Sequence, residues 1–340
     1  MTAPSRVLVT GITGFIGSHV AIQLLEKGYE VVGTLRNPNR IDSIQEAIAK
    51  HTQHTNRLSF VQAELMDAES WKQAMKGIEY VIHVASPIST TTPKDENEMI
   101  IPAREGTLNV LRAATEAGVK RVVITSSVAA ISYNDARGSN AKFTEEDWTD
   151  IANPSVNAYI KSKTLAERAA WDFVRQQAGA PELATVNPSL VLGPVLEKDF
   201  GSSAVLVKRL LDGSFPALPK LGFPVVDVRS VADLHLLAME KEEAAGERFI
   251  AGGEFMWMEE IAQILKEAYP DRKVPTGKLP NFLFRLMSLF DAQTRSVLGE
   301  LNTPRPVDIS KAQNLLGWKP ISEKEAIVAT AESLMKYGII

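Results

Sequence analysis

Residues 10–17 read Thr-Gly-Ile-Thr-Gly-Phe-Ile-Gly, directly behind the apolar run 6–10 and at the head of a helical pattern carrying Ile16, Val20 and Leu24. A tight turn, a close backbone approach and close helix–strand packing each exclude a Cβ, so glycines at 11, 14 and 17 predict a βα unit. The helix it opens offers free N–H groups to a pyrophosphate. Such a unit commits the chain to a parallel sheet, whose neighbouring strands need crossover helices. Further strands are expected at 30–35, 58–62, 80–84, 121–125 and 183–187, and helices through Ile41, Ile44 and Ile48, at 70–75, 105–117 and 158–177. Right-handed crossovers then give an α/β fold, a Rossmann-type doubly wound parallel sheet with ligands at the carboxyl ends of its strands.

Beyond about Pro194 the texture changes. Pro216, Pro219 and Pro224 punctuate short elements, with helices expected at 204–211, 231–239 and 258–268. This predicts a nucleotide-binding domain over 1–190, with about 225–250 returning to it, and a smaller mixed α/β lobe over 191–340 that binds substrate. No internal repeat or low-complexity linker separates them. The 37 Lys and Arg against 41 Asp and Glu leave a formal charge of −4 without a basic stripe, which points away from nucleic acid and anionic membranes and towards a small-molecule substrate. There is no cysteine, so disulfides, thiol nucleophiles and Cys-based metal sites are excluded; the one close histidine pair, His51 and His54, lacks acidic neighbours, and no metal is expected. The first residues show no signal-peptide pattern and no apolar stretch reaches the roughly 18–20 residues of a membrane span, so a cytoplasmic location is expected.

The end of the second strand selects the dinucleotide. An acid there accepts the ribose 2′-hydroxyl of NAD, but residues 34–40 read Thr-Leu-Arg-Asn-Pro-Asn-Arg, with no acid before Asp42. Arg36 and Arg40 suit a dianionic 2′-phosphate, which favours NADP(H). On the long helix, Tyr159 and Lys163 stand four apart and share a face. A phenol is a poor acid or base at neutral pH unless a cation stabilises its anion, and Lys163 supplies one. Thr125-Ser126-Ser127 ends the fifth strand at the expected crevice, where a serine hydroxyl can hydrogen-bond a carbonyl oxygen that Tyr159 protonates.

Taken in order, Thr10–Gly17, Leu35-Arg-Asn-Pro38, His83-Val-Ala-Ser-Pro87, Val122–Ser127, Tyr159-x-x-x-Lys163-Thr-Leu-Ala-Glu167 and Asn187–Pro194 resemble the extended short-chain dehydrogenase/reductases. More narrowly they resemble the dihydroflavonol-reductase-like branch of NADPH-dependent aldehyde and ketone reductases. The resemblance implies that Gly11, Thr13, Gly14, Phe15, Ile16 and Gly17 hold the pyrophosphate and that Arg36 and Arg40 hold the 2′-phosphate. Glu64-Leu65 stands where the branch usually carries Asp-Leu beside the adenine. Val84, Ala85, Ser86 and Thr125 would line the ribose and nicotinamide path, and Pro188 and Ser189 would hold the carboxamide. Ser127, preferred over Ser126 by its place in the motif, would be catalytic with Tyr159 and Lys163, and Tyr159 and Lys163 would also contact the cofactor, Lys163 at the nicotinamide ribose.

The implied reaction is reversible hydride transfer between NADP(H) and an aldehyde or ketone, in a monomer or homodimer. The alternatives are a hydroxysteroid dehydrogenase, a nucleotide-sugar epimerase or dehydratase, and a non-enzymatic NADP-binding redox sensor. Dehydratases of this kind carry acids right after the Ser/Thr, where this chain has Val128-Ala-Ala-Ile131. The substrate pocket is expected to draw on loops 86–94, 128–148 and 192–207, with 215–226 as a lid candidate. Tyr133, Phe143, Phe200 and Phe223 either line it or pack the lobe interface. Asn109 and His83 are expected to be structural and Asn187 to shape the turn before Pro188, while the segment 281–301, with Leu283, Leu286, Met287 and Phe290 at helical spacing, is either an extra helix near the substrate mouth, an interface helix or, as is commoner, a helix that packs into the core.

Overall fold

The computed structural model describes residues 4–87, 93–134, 141–198, 201, 203–291, 294–295 and 297–340. Phe200 and parts of loops 86–94, 128–148 and 192–207 lie outside the described residues. Strand β1 (Arg6–Thr10) leads through the glycine turn into α1 (Phe15–Glu26), then β2 (Glu30–Leu35), α2 (Ile41–Ala49), β3 (Leu58–Gln62), α3 (Ala68–Ala74) and β4 (Tyr80–His83). Helix α4 (Asn97–Ala117), β5 (Arg121–Thr125), α5 (Ala158–Gln176) and β6 (Glu182–Pro188) continue the alternation. The expected strands are all present, within a residue of their expected bounds.

After β7 (Leu190–Leu192) and α6 (Ala204–Leu211) come β8 (Gly222–Asp227), α7 (Val228–Glu240), β9 (Arg248–Ala251), β10 (Phe255–Trp257), α8 (Met258–Ala268) and α9 (Asn281–Met287), followed by helices Ser310–Leu316 and Glu323–Lys336. The large sheet has seven strands in the order β3-β2-β1-β4-β5-β6-β9, and every pairing in it is parallel. The chain order reverses between β1 and β4, so the switch-point crevice opens beside Thr10 and His83. Both faces are covered, which is why β1 is apolar throughout: Val7, Leu8 and Val9 are fully buried. Val20, Leu24 and Val231 pack one face, Trp71, Leu111 and Ala170 the other. Beyond β8, α7 packs on this sheet and β9 pairs with β6.

The lobe is built on the sheet β10-β8-β7, its core filled by Leu210, Ile261, Leu265, Ile327 and Leu334. Three expectations are corrected. The lid candidate 215–226 is in good part β8, the middle strand of that sheet; Gly222 and Pro224 disguised it as a loop. Helix α4 begins eight residues before 105 and runs through Pro102, a residue that ordinarily ends a helix. Of the apolar residues in α9 only Phe284 is buried, while Phe282, Leu286 and, just beyond the helix, Leu289 and Phe290 are exposed, so the commoner of the expected roles, core packing, does not hold for this segment.

Candidate active site

Behind β1, the Thr10 hydroxyl accepts from the Ala85 N–H at 2.9 Å and lies 2.8 Å from Nδ1 of His83, tying the ends of β1 and β4 together. Gly11 has a left-handed φ of +66°, and a Cβ there would stand 3.0 Å from the Cα of Ala85. At Gly17 a Cβ would stand 2.3 Å from the Gly11 carbonyl oxygen. No side chain caps α1 at Gly14, and its first turn holds no acid. A backbone cradle that side chains would fill, facing a helix N-terminus without anionic competition, fits a dinucleotide pyrophosphate. Thr13, Phe15 and Ile16 complete this turn.

At the end of β2, Arg36 is exposed and has no ion pair among the described residues. Arg40 is held otherwise: its Nη2 lies 2.5 Å from Oε1 of Glu197 and its Nε donates to Ser43 Oγ at 3.1 Å. Glu64 is exposed, its backbone N–H donating to Ser70 Oγ at 3.2 Å. The carbonyl of Leu65 accepts from Asn109 Nδ2 at 3.0 Å, which gives Asn109 the structural part expected for it.

Across the crevice, the Asn157 side chain accepts from the Ile160 N–H at 3.0 Å and caps α5, which sets Tyr159 in the first turn. The Tyr159 ring leaves 37% of its surface exposed, while its hydroxyl end lies deep enough among protein atoms that burial raises its pKa; a hydrogen bond with Ser127 opposes the rise. Ser127 caps the short 128–130 turn, accepting from the Ala129 N–H at 3.1 Å, and its hydroxyl stands 3.5 Å from the Pro188 carbonyl oxygen. Lys163, one turn along from Tyr159, makes no hydrogen bond to a described residue. Burial pushes its ammonium down to about 8, against the attraction of Glu167. Lys163, Ser86, Ala85, Thr125, His83 and Glu167 wall a cavity of about 20 Å³.

Burial, and then the nearby Lys163 charge, push His83 down to about 3, so it is neutral at physiological pH. Nε2 of His83 and Oγ of Ser189 are buried polar atoms without a partner among the described residues. Val84 continues β4 into the crevice, and Thr125 Oγ1 lies 2.7 Å from Nε2 of buried His235.

Of the aromatics proposed for the pocket, Phe143 is core, packed with Ile131, Ile250 and Val307, and Phe223 packs on the lobe core. The Tyr133 hydroxyl is 2.5 Å from Glu300 Oε1, and the Arg305 guanidinium lies 4.3 Å over its ring. Sequence reasoning missed the polar floor of the site. Buried Glu167 accepts from Ser126 Oγ, from Asn187 Nδ2 at 2.7 Å, from Thr185 Oγ1 at 3.2 Å and from Arg248 Nε at 2.6 Å. Asn187 also donates to the Ser127 carbonyl at 3.2 Å, so it does more than shape a turn. The one signal available was the position of Glu167, four residues after Lys163. Among the described residues no group of side chains is arranged to hold a metal, and no helix is long and apolar enough to cross a membrane.

The chain is 34% identical to a cinnamoyl-CoA reductase of Medicago truncatula over 273 residues, 79% of this chain and 82% of the relative. It is 36% identical to an anthocyanidin reductase of Vitis vinifera over 282 residues, again 79% and 82% of the two chains. Among solved structures, the yeast methylglyoxal/isovaleraldehyde reductase Gre2 in complex with NADPH superposes with a TM-score of 0.79 at 29% identity, covering 98% of this chain and 100% of that one. The NAD dependent epimerase/dehydratase family matches residues 7–252, and with a glycine cradle, a switch-point crevice and a Tyr-Lys pair all inside that span, the chain belongs to this family.

Proposed function

We propose that the chain is an NADPH-dependent carbonyl reductase, acting on an aldehyde or ketone and reversibly on the corresponding alcohol. The observation that carries this is the convergence of Ser127, just after β5, and Tyr159, in the first turn of α5, on the crevice, with Lys163 one helical turn away. Bound NADPH supplies hydride from C4 of its nicotinamide. Ser127 donates to the carbonyl oxygen and fixes its position; Tyr159 delivers the proton to that oxygen as charge develops on it. The Lys163 charge and the positive end of α5 stabilise the phenolate left behind. Val128, Ala129 and Ala130 after Ser127 bring no carboxylate to the site, which disfavours a dehydratase. In this scheme residues 1–190 with about 225–250 hold the dinucleotide, and the rest of 191–340 shapes the substrate side. The relatives' names support a reductase, and the NADPH-bound neighbour supports the same cofactor.

The test is NADPH against NADH oxidation, followed by absorbance, with aldehydes, α-keto esters and aryl ketones. Turnover with NADPH is expected, and Arg36→Ala is expected to raise the KM for NADPH by about tenfold, the equivalent of one lost charge-assisted contact, with little effect on NADH. Cofactor binding without turnover across the panel would instead indicate a steroid enzyme, an epimerase or a sensor.

The pH profile has a definite sign. Burial holds Lys163 at about 8, so its charge is present below that value and lost above it, while Tyr159, pushed upward, stays protonated over the same range. The rate of carbonyl reduction is therefore expected to fall as pH rises through about 8. Lys163→Arg, whose guanidinium keeps its charge, should remove that limb. A limb unchanged in the variant would assign it to another group.

A further inference from the structure

Glu197, which meets Arg40, lies 157 residues further along the chain, in the segment after β7. With Gly14, Phe15, Ser18 and Ile44 it walls a small hollow over the start of α1. The segment is tethered there: Nε2 of His19 on α1 lies 2.9 Å from the carbonyl oxygen of Pro194. The Glu197 carboxylate therefore sits between the glycine cradle and the end of β2, where the adenosine ribose of a bound dinucleotide belongs. An acid at this place is the group that accepts ribose hydroxyls and repels a 2′-phosphate. Strand β2 supplies none, and the lobe does.

We infer that Glu197 is a specificity-determining residue that acts through Arg40, competing with a 2′-phosphate for the guanidinium and so restraining the preference for NADP(H) over NAD(H). This rests on the proposed NADPH reading. A 2′-phosphate carries between one and two negative charges near neutral pH, and to engage Arg40 it must draw the guanidinium from a carboxylate 2.5 Å away or share it against like-charge repulsion. The side chains of Arg40 and Glu197 are 31% and 21% exposed, so solvent and salt moderate the competition. The consequence is a modest, salt-dependent effect confined to ligands that carry the phosphate.

The experiment measures dissociation constants of NADP+, NAD+ and adenosine 2′,5′-bisphosphate by calorimetry at low and high salt, on the full chain and on Glu197→Gln, which keeps the side chain's size and removes its charge. The variant is expected to bind NADP+ and the bisphosphate about threefold to tenfold more tightly at low salt, with NAD+ unchanged or weaker. Weaker NADP+ binding would overturn the inference and make Glu197 a support for Arg40; an unchanged ratio of NADP+ to NAD+ affinity would overturn it as well. Arg36→Ala and Arg40→Ala serve as controls. If neither alters that ratio, the NADPH reading itself fails and the inference falls with it; if either does while Glu197→Gln does not, only the inference falls.

Discussion

Tyr159→Phe is expected to lower kcat for carbonyl reduction by about 10²- to 10⁴-fold, the range for removing a positioned general acid. NADPH should bind it nearly as tightly as it binds the unaltered chain. The substitution deletes one oxygen and leaves the ring, the α5 cap by Asn157 and the Lys163 charge in place. Ser127 keeps its bond from the Ala129 N–H, so its hydroxyl remains positioned for a carbonyl oxygen and accounts for the residual rate. Because the lost interaction is made in the transition state, kcat and kcat/KM should fall together. Single-turnover kinetics read the chemical step, and quenching of protein fluorescence reads NADPH binding. If Tyr159→Phe keeps more than about a tenth of the rate, the proton comes from elsewhere and the mechanism is wrong. If binding and rate fall in parallel, Tyr159 is a cofactor contact and not the acid.

What could be read in the sequence follows from how local each signal is. Strands β1, β2 and β5 have the bounds their apolar runs predict, because a strand covered on both faces must be largely apolar along its length. Gly11, Tyr159, Lys163 and Ser127 were legible for a similar reason: a turn, a helical spacing and a strand end are each fixed within a few residues. Strand β9 was not legible, since four residues that begin with Arg248 form no apolar run, and its charge is neutralised by Glu167, 81 positions earlier. The Arg40–Glu197 pair spans a still longer separation, and nothing in the sequence periodicity connects the two residues. In α9 the apolar spacing was present but burial was not: Phe282 is 69% exposed. Spacing indicates which side chains share a helix face, and only tertiary packing decides what covers that face.

Arg248→Met is expected to lower folding stability by about 3–5 kcal/mol, the usual effect of removing one partner of a buried ion pair. The Arg248 and Glu167 side chains are 9% and 1% exposed, and the guanidinium lies 3.8 Å over the Trp148 ring. Its Nη1 also donates to the backbone carbonyls of Glu145 and Asp147, at 2.5 and 2.8 Å. Methionine fills much of the volume but leaves the Glu167 carboxylate with only the neutral donors Ser126, Thr185, Asn187 and Trp171. A fall of the unfolding midpoint on the order of 10 °C would correspond to that loss. Adding Glu167→Gln removes the uncompensated charge and should restore part of the stability, though the carbonyls of Glu145 and Asp147 still lack their donor. The same change reaches the chemistry, because Asn187 is shared between Glu167 and the Ser127 carbonyl. A relaxed Asn187 lets Ser127 drift, so Arg248→Met should also lower kcat, and the double variant, which removes the charge that holds the Lys163 ammonium up, should recover stability more fully than rate. An unchanged kcat in Arg248→Met would mean that Arg248 and Glu167 support the fold alone. An unchanged midpoint in Arg248→Met would show that the pair is screened as if it lay at the surface, which its burial does not allow.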